Sequence, residues 1–217
     1  MVTLQLHQLD VPVGQRLLLH DISWTEFENI LTELGDQRST RIAYDNGLLE
    51  IMAPSPEHEA DKEIIGDLLK ALLEELDTEF LTLGSTTFKN ANMLKGIEPD
   101  QCFYIRNEAV VRGKARLDLT VDPPPDLALE IDITSRTHPE TYAALGVPEL
   151  WRRIGQTLRI YQLQGGKYVE TADSPTFPGW NLQAEIPKYV QQSRSVGRNR
   201  TIKAFREWSR IRIAGRQ

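Results

Sequence analysis

Three carboxylates in two short stretches are the residues of this chain best suited to chemistry. Asp100 lies in GIEPDQCFYI, and Glu130 and Asp132 lie in PPDLALEIDITS. The second stretch reads as a buried strand. Successive side chains of a strand point to opposite faces. Leu127, Leu129, Ile131 and Ile133 then share one face, and Ala128, Glu130, Asp132 and Thr134 the other. Each residue rises about 3.3 Å, so the two acids stand roughly 6–7 Å apart along the same face. A buried carboxylate costs several kcal/mol unless it has a partner, a metal or a route to water. The plainer reading is an antiparallel strand with one solvated face, which alternates in the same way. Asp100 follows Pro99, which cannot donate to a ladder and marks a strand start or edge. Counting by two from there sets Asp100, Cys102 and Tyr104 on one face. Oxygen ligands from two neighbouring strands suit a hard cation, Mg²⁺ or Mn²⁺. Such an ion activates water and stabilises charge on a phosphodiester.

Further polar groups gather at the start of SPEHEADKEIIGDLLKALLEEL, residues 55–76, the longest helix the sequence predicts. Ile64, Ile65, Leu68, Leu69, Leu72, Leu73 and Leu76 form its apolar stripe. Helical phase puts Glu57, His58 and Asp61 on the side of that stripe and Glu59 well off it. His58 there is either a satisfied core histidine or a member of a site. Lys89 could reach the same side, although a surface lysine is the ordinary reading.

The elements that must position these groups are well punctuated. Residues 23–35 read as a helix, with Ser23 as N-cap, Glu26 completing a capping box and Gly35 as the stop. Asn46-Gly47 between apolar runs predicts a hairpin over 39–54. Residues 78–90 read as one or two strands, 96–105 as one strand and 126–134 as another. Residues 106–124 read as a polar connection. PETYAALGVPELWR, 139–152, reads as a short helix broken at Gly146, with a second turn begun by Pro148. A second hairpin turns at Gly165-Gly166, and 199–213 suit a basic amphipathic helix. This order of helices and strands predicts a mixed α/β domain.

Composition narrows the function. Apolar content of 40% and charged content of 26% describe a globular chain. No run of about 18 apolar residues spans a membrane. The N-terminus lacks the features of a signal peptide, and a cytoplasmic protein is the simplest expectation. The single Cys102 excludes an internal disulfide framework and a cysteine-based zinc cluster. Residues 188–217 carry nine Lys or Arg and one acid, a balance of +8; the total is −6, so the rest of the chain carries −14. A basic segment on an acidic body implies a polyanion partner or a tail docked on its own body. The expected division is therefore an α/β domain over 1–187 and a basic tail over 188–217.

SPEHE, GSTTFK, GIEPDQCFYI, PDLALEIDITS and YAALGVPELWR occur in this order, and together the series resembles the Uma-two family of restriction endonucleases, abundant in cyanobacteria. The resemblance covers roughly residues 20–165. That family is similar to the PD-(D/E)XK nuclease superfamily. The resemblance implies a restriction-endonuclease-like mixed sheet flanked by helices, here with an N-terminal helix–hairpin extension. It also implies DNA as substrate, Mg²⁺ or Mn²⁺ as cofactor, and restriction-type dimers. Asp100 in EPD looks like the first acid and Glu130 in LALEID like the second. The helical acid of the superfamily falls on 57–61, where His58 and Glu59 are both retained. The superfamily's lysine, two residues after the second acid, is replaced here by Asp132. Lys89 then supplies the charge from elsewhere, or Asp132 adds a metal ligand, or the fold is inactive and serves as a DNA-binding or interaction module. A third reading is a glycosidase-like hydrolase using paired carboxylates. Against it, aromatics make up 7% of the chain and sit mostly at core spacing.

Overall fold

The computed structural model describes residues 6–35, 38–84, 86–132 and 138–216. In chain order the elements are β1 (Arg16–Leu19), α1 (Trp24–Leu34), β2 (Arg41–Asp45), β3 (Leu48–Met52), α2 (Pro56–Glu75), β4 (Leu81–Leu83), β5 (Phe88–Asn90), β6 (Lys95–Ile97) and β7 (Gln101–Tyr104). They continue with α3 (Glu108–Val111), β8 (Leu127–Asp132), α4 (Pro139–Ala144), β9 (Glu149–Ile154), β10 (Thr157–Gln164), β11 (Lys167–Thr171), α5 (Leu182–Val196) and α6 (Arg198–Ala214). Ile133 and Thr134, expected in the central strand, lie outside the described residues.

Local chemistry sets the element ends. The Ser23 hydroxyl accepts from the Glu26 N–H, and the Ser23 N–H donates back to the Glu26 carboxylate at 2.8 Å, so both donors at the start of α1 are satisfied. Asn46 and Gly47, at φ 45° and 93°, make the tight turn of the first hairpin. Ser55 caps α2 through the His58 N–H, and Pro56 sits in the first turn, where its missing donor costs nothing.

The strands form two sheets. A five-stranded antiparallel sheet has the order β1-β3-β2-β6-β5, so the N-terminal hairpin is a part of this sheet rather than an extension by itself. A six-stranded sheet has the order β11-β10-β9-β8-β7-β4. It is mixed: β8 and β9 run parallel and the other pairs antiparallel. The stripe of α2, with α5 and α6, buries one face of this sheet through Phe103, Leu127, Leu129, Ile131 and Trp151. Ala128, Cys102, Tyr104, Leu150 and Tyr142 of α4 form the core on the other face. The alternation expected of β8 is therefore present. Helix α1 packs Phe27 on the five-stranded sheet, stacked on Tyr44 with centroids 4.5 Å apart.

Three local expectations are corrected. Residues 96–105 are two strands in different sheets, because Pro99 lacks the N–H that would carry a ladder across Glu98–Asp100. The chain crosses between sheets at EPD, as it also does between β4 and β5. ELWRRI is strand β9 and not a helical turn; its neighbour β8 offers a parallel ladder, and Leu150 and Trp151 are buried on opposite faces. The 187/188 boundary falls inside helix α5, which the basic composition concealed.

The basic segment is docked on the body. Phe205 of α6 is fully buried in the core under α2. Arg198 pairs with Asp67, Arg206 with Glu74 and Glu75, and Arg210 with Glu75, all acids of α2. Burial carries more of this docking than charge, since exposed ion pairs contribute little. Phe205→Ala is expected to lower the unfolding free energy by about 3–5 kcal/mol in urea titration. Arg210→Ala should barely move the midpoint.

Candidate active site

The site lies where the two sheets meet. Strand β7 pairs with β8 as Gln101↔Leu129, Cys102↔Ala128 and Phe103↔Leu127. One step further, Ile131 would face Pro99, which has no side-by-side ladder to offer. The Asp100 carboxylate takes that place: its Oδ2 accepts the Ile131 N–H at 2.8 Å. The same oxygen lies 3.0 Å from His58 Nε2 at the start of α2. Further along α2, Gly66 packs against the end of the Gln101 side chain, where a Cβ would stand 1.8 Å from Gln101 Oε1. Asp100 is 2% exposed and His58 0%, so the pair is inside the protein.

Glu130 stands on the face of β8 away from α2 and accepts a hydrogen bond from the Tyr142 hydroxyl. Asp100 and Glu130 line one small cavity of about 30 Å³, together with Arg41, Glu50, Glu98 and His138. The carboxylates are thus on the same side of the fold. Burial pushes the Glu130 carboxyl well above the usual carboxylate range, and the negative charge of Asp100 adds to the effect against the Tyr142 hydrogen bond. Burial and Glu130 in turn raise the Tyr142 phenol, which keeps its proton and remains a donor. Burial alone would lower the His58 imidazole, but Asp100 and Glu59 outweigh it and hold it at about 9. Contact with His58 lowers Glu59 to about 2.

The other expected residues have different places. Asp132 shares the face of Glu130 but is held by Arg152, whose Nε donates to it at 2.9 Å. Glu59 contacts His58 Nδ1 at 3.5 Å and pairs with Lys62, so it supports His58 from the rim. Asp61, buried beside His58, binds Arg153 at 3.4 Å and Arg194 at 2.8 Å, tying α2 to β9 and α5. Glu57 is exposed and also meets Arg194. Lys89 does not join the cluster. Strand β5 belongs to the five-stranded sheet and turns this side chain to Glu28 of α1.

Sequence reading missed four groups. Glu50 interrupts the apolar run LLEIM as Glu130 interrupts LALEID, a signal that could have found it. It is 5% exposed and meets Arg16 at 3.3 Å and His138 at 3.4 Å. Arg41, Tyr142 and His138 carried no local signal, because only the fold sets them beside Glu130.

Two outcomes are expected. Tyr142→Phe should cost about 1–3 kcal/mol in urea unfolding, since it leaves a half-buried carboxyl oxygen without its donor. In chelator-treated protein, His58 should make stability fall at alkaline pH. Its folded value of about 9 lies above the ordinary 6.5. The charged imidazole therefore stabilises fully below about pH 6.5, and the contribution, about 3 kcal/mol, is lost as pH rises through about 9. Melting curves from pH 6 to 10 should show this decline, and His58→Gln should flatten it.

The family model described as "Uma2: Putative restriction endonuclease" matches residues 24–194. Among solved structures, the chain is similar to a crystal structure of a "putative nuclease belonging to DUF820" from Anabaena variabilis ATCC 29413. That likeness has 13% identity and a TM-score of 0.45, over 74% of this chain and 90% of the other. No curated protein matches the chain. The family match runs from α1 into α5 and takes in Asp100, Glu130 and every residue around their cavity, and the chain belongs to the Uma2 family.

Proposed function

We propose that the chain is a metal-dependent endonuclease that hydrolyses phosphodiester bonds of DNA, with Asp100 and Glu130 as the ligands of a Mg²⁺ or Mn²⁺ ion. One observation carries this reading: the two carboxylates line the same cavity of about 30 Å³. That is room for one ion or one water. Among the described residues, no three His, Cys, Asp or Glu side chains form a ready metal cage. The donor set nevertheless fits Mg²⁺, which is usually held by one or two carboxylates and completes its shell with waters and substrate phosphate. The rise of the Glu130 carboxyl supports the fit, since a site short of positive charge takes up a proton or a cation.

A bound divalent ion supplies Lewis acidity toward the scissile phosphate and makes a nearby water more acidic. The chain's own residues prepare that chemistry. The Ile131 N–H and His58 fix the direction of Asp100. Protonated His58 sets a positive charge beside Asp100. Tyr142 orients Glu130 by donating to Oε1. Arg152 holds Asp132 beside them, and the negative charge of Asp132 adds to the rise of Glu130.

The Asp132–Arg152 pair also favours a second reading, a nuclease fold that holds DNA without cutting it. Plasmid cleavage with Mg²⁺ or Mn²⁺ separates the two. The wild-type chain should nick or linearise DNA, and Glu130→Ala and Asp100→Asn should each lower the rate by about 10²–10³-fold while staying folded. Cleavage that survives both changes overturns the site. DNA binding without cleavage by the wild-type chain supports the second reading instead.

A further inference from the structure

We infer that Arg41, from the five-stranded sheet, supplies the cationic contact to the phosphate being cut. This rests on the nuclease reading and adds a catalytic residue to it. The position two residues after Glu130 holds Asp132, already paired with Arg152, so no positive charge comes from there. Other charges around the cavity are also matched. Glu98 is bound by Arg38, Glu50 by Arg16 and His138, and Asp100 by His58. Arg41 lines the cavity with Asp100 and Glu130. Among the described residues its ion pair is with Glu59, Nη2 to Oε1 at 3.6 Å, and its Nε is buried without a hydrogen-bond partner. The side chain is 12% exposed.

A guanidinium withdrawn from water with an unmet donor is costly. The fold keeps it there by construction. Arg41 opens β2 opposite Met52. The next residue is clamped in both directions: Ile42 N–H donates to Glu98 Oε2, and Glu98 N–H donates to Ile42 O, each at 3.1 Å. That clamp holds Arg41 against the EPD crossover, two residues before Asp100. A planar fork of N–H donors matches two phosphate oxygens better than any other side chain does. In hydrolysis the water oxygen bonds to phosphorus and the bond from phosphorus to the leaving sugar oxygen breaks. One water proton passes to solvent, the leaving oxygen takes one up, and nothing is oxidised. Negative charge grows on the non-bridging oxygens, and Arg41 donates to them as it grows.

The test is single-turnover cleavage of a labelled DNA duplex by the full chain at saturating Mg²⁺, with melting curves and DNA binding measured alongside. Arg41→Ala should lose about 10²–10³-fold in rate with DNA affinity changed far less. Arg41→Lys should recover part of the rate, and added methylguanidine should partly rescue Arg41→Ala. If Arg41→Ala melts below the assay temperature, Arg41→Met, which keeps the apolar stem, replaces it. A folded Ala or Met variant that cuts at the wild-type rate overturns the role of Arg41 and leaves the nuclease reading standing. A folded wild-type chain that does not cut overturns the nuclease reading, and the role of Arg41 with it.

Discussion

The hydrogen bond from the Ile131 N–H to the Asp100 carboxylate is the interaction on which the rest of the site depends. Pro99 ends the β7–β8 ladder one step early, and a buried N–H left unmet at that point would be costly. Asp100 satisfies it with a side chain. The substitution frees the backbone at EPD to leave the six-stranded sheet for the five-stranded one. It also carries a negative charge to the rim between the faces of the sheet. From there Asp100 meets His58 on the α2 side and looks toward Glu130 on the other.

Two sheets meeting at the EPD crossover explain the mixed character of the cavity. The six-stranded sheet gives Glu130 and, next to it, the Asp132–Arg152 pair. The five-stranded sheet gives Arg41 and Glu50 from adjacent strands β2 and β3. Helix α4 adds Tyr142, and His138 precedes it. Carboxylates outnumber cations at the cavity itself, and burial makes their mutual repulsion felt, as the displaced Glu130 carboxyl shows. A structural cluster would be expected to neutralise itself. Here most acids have done so, while Asp100 and Glu130 share one small space and, among the described residues, the Arg41 Nε beside them has no hydrogen-bond partner.

Of the two readings that charge asymmetry left open for the basic C-terminal segment, packing selects the tail docked on its own body. Arg198, Arg206 and Arg210 pair with acids of α2, and the apolar residues of the segment complete the core on that face of the sheet. The helix that carries the stripe under the sheet is thus held from both sides. Its first turn, where His58 sits, is fixed with it.

The sequence by itself determined the elements with strong local chemistry. The capping box at Ser23, the Asn46-Gly47 turn and the α2 stripe are short-range signals, and each depends on residues a few positions apart. Alternation also placed Glu130 and Asp132 on one face of β8, because strand period is a property of the backbone. ELWRRI is a strand because β8 lies beside it. Lys89 takes the ordinary reading of a half-exposed lysine, paired with Glu28, because strands 81–83 and 88–90, close in sequence, belong to different sheets. Arg41, Glu50 and Tyr142 reach Asp100 and Glu130 across separations that no local pattern records. Residue types told the chain which chemistry it could do; long-range pairing of two sheets, fixed by the loss of one ladder bond at Pro99, decided which residues do it together.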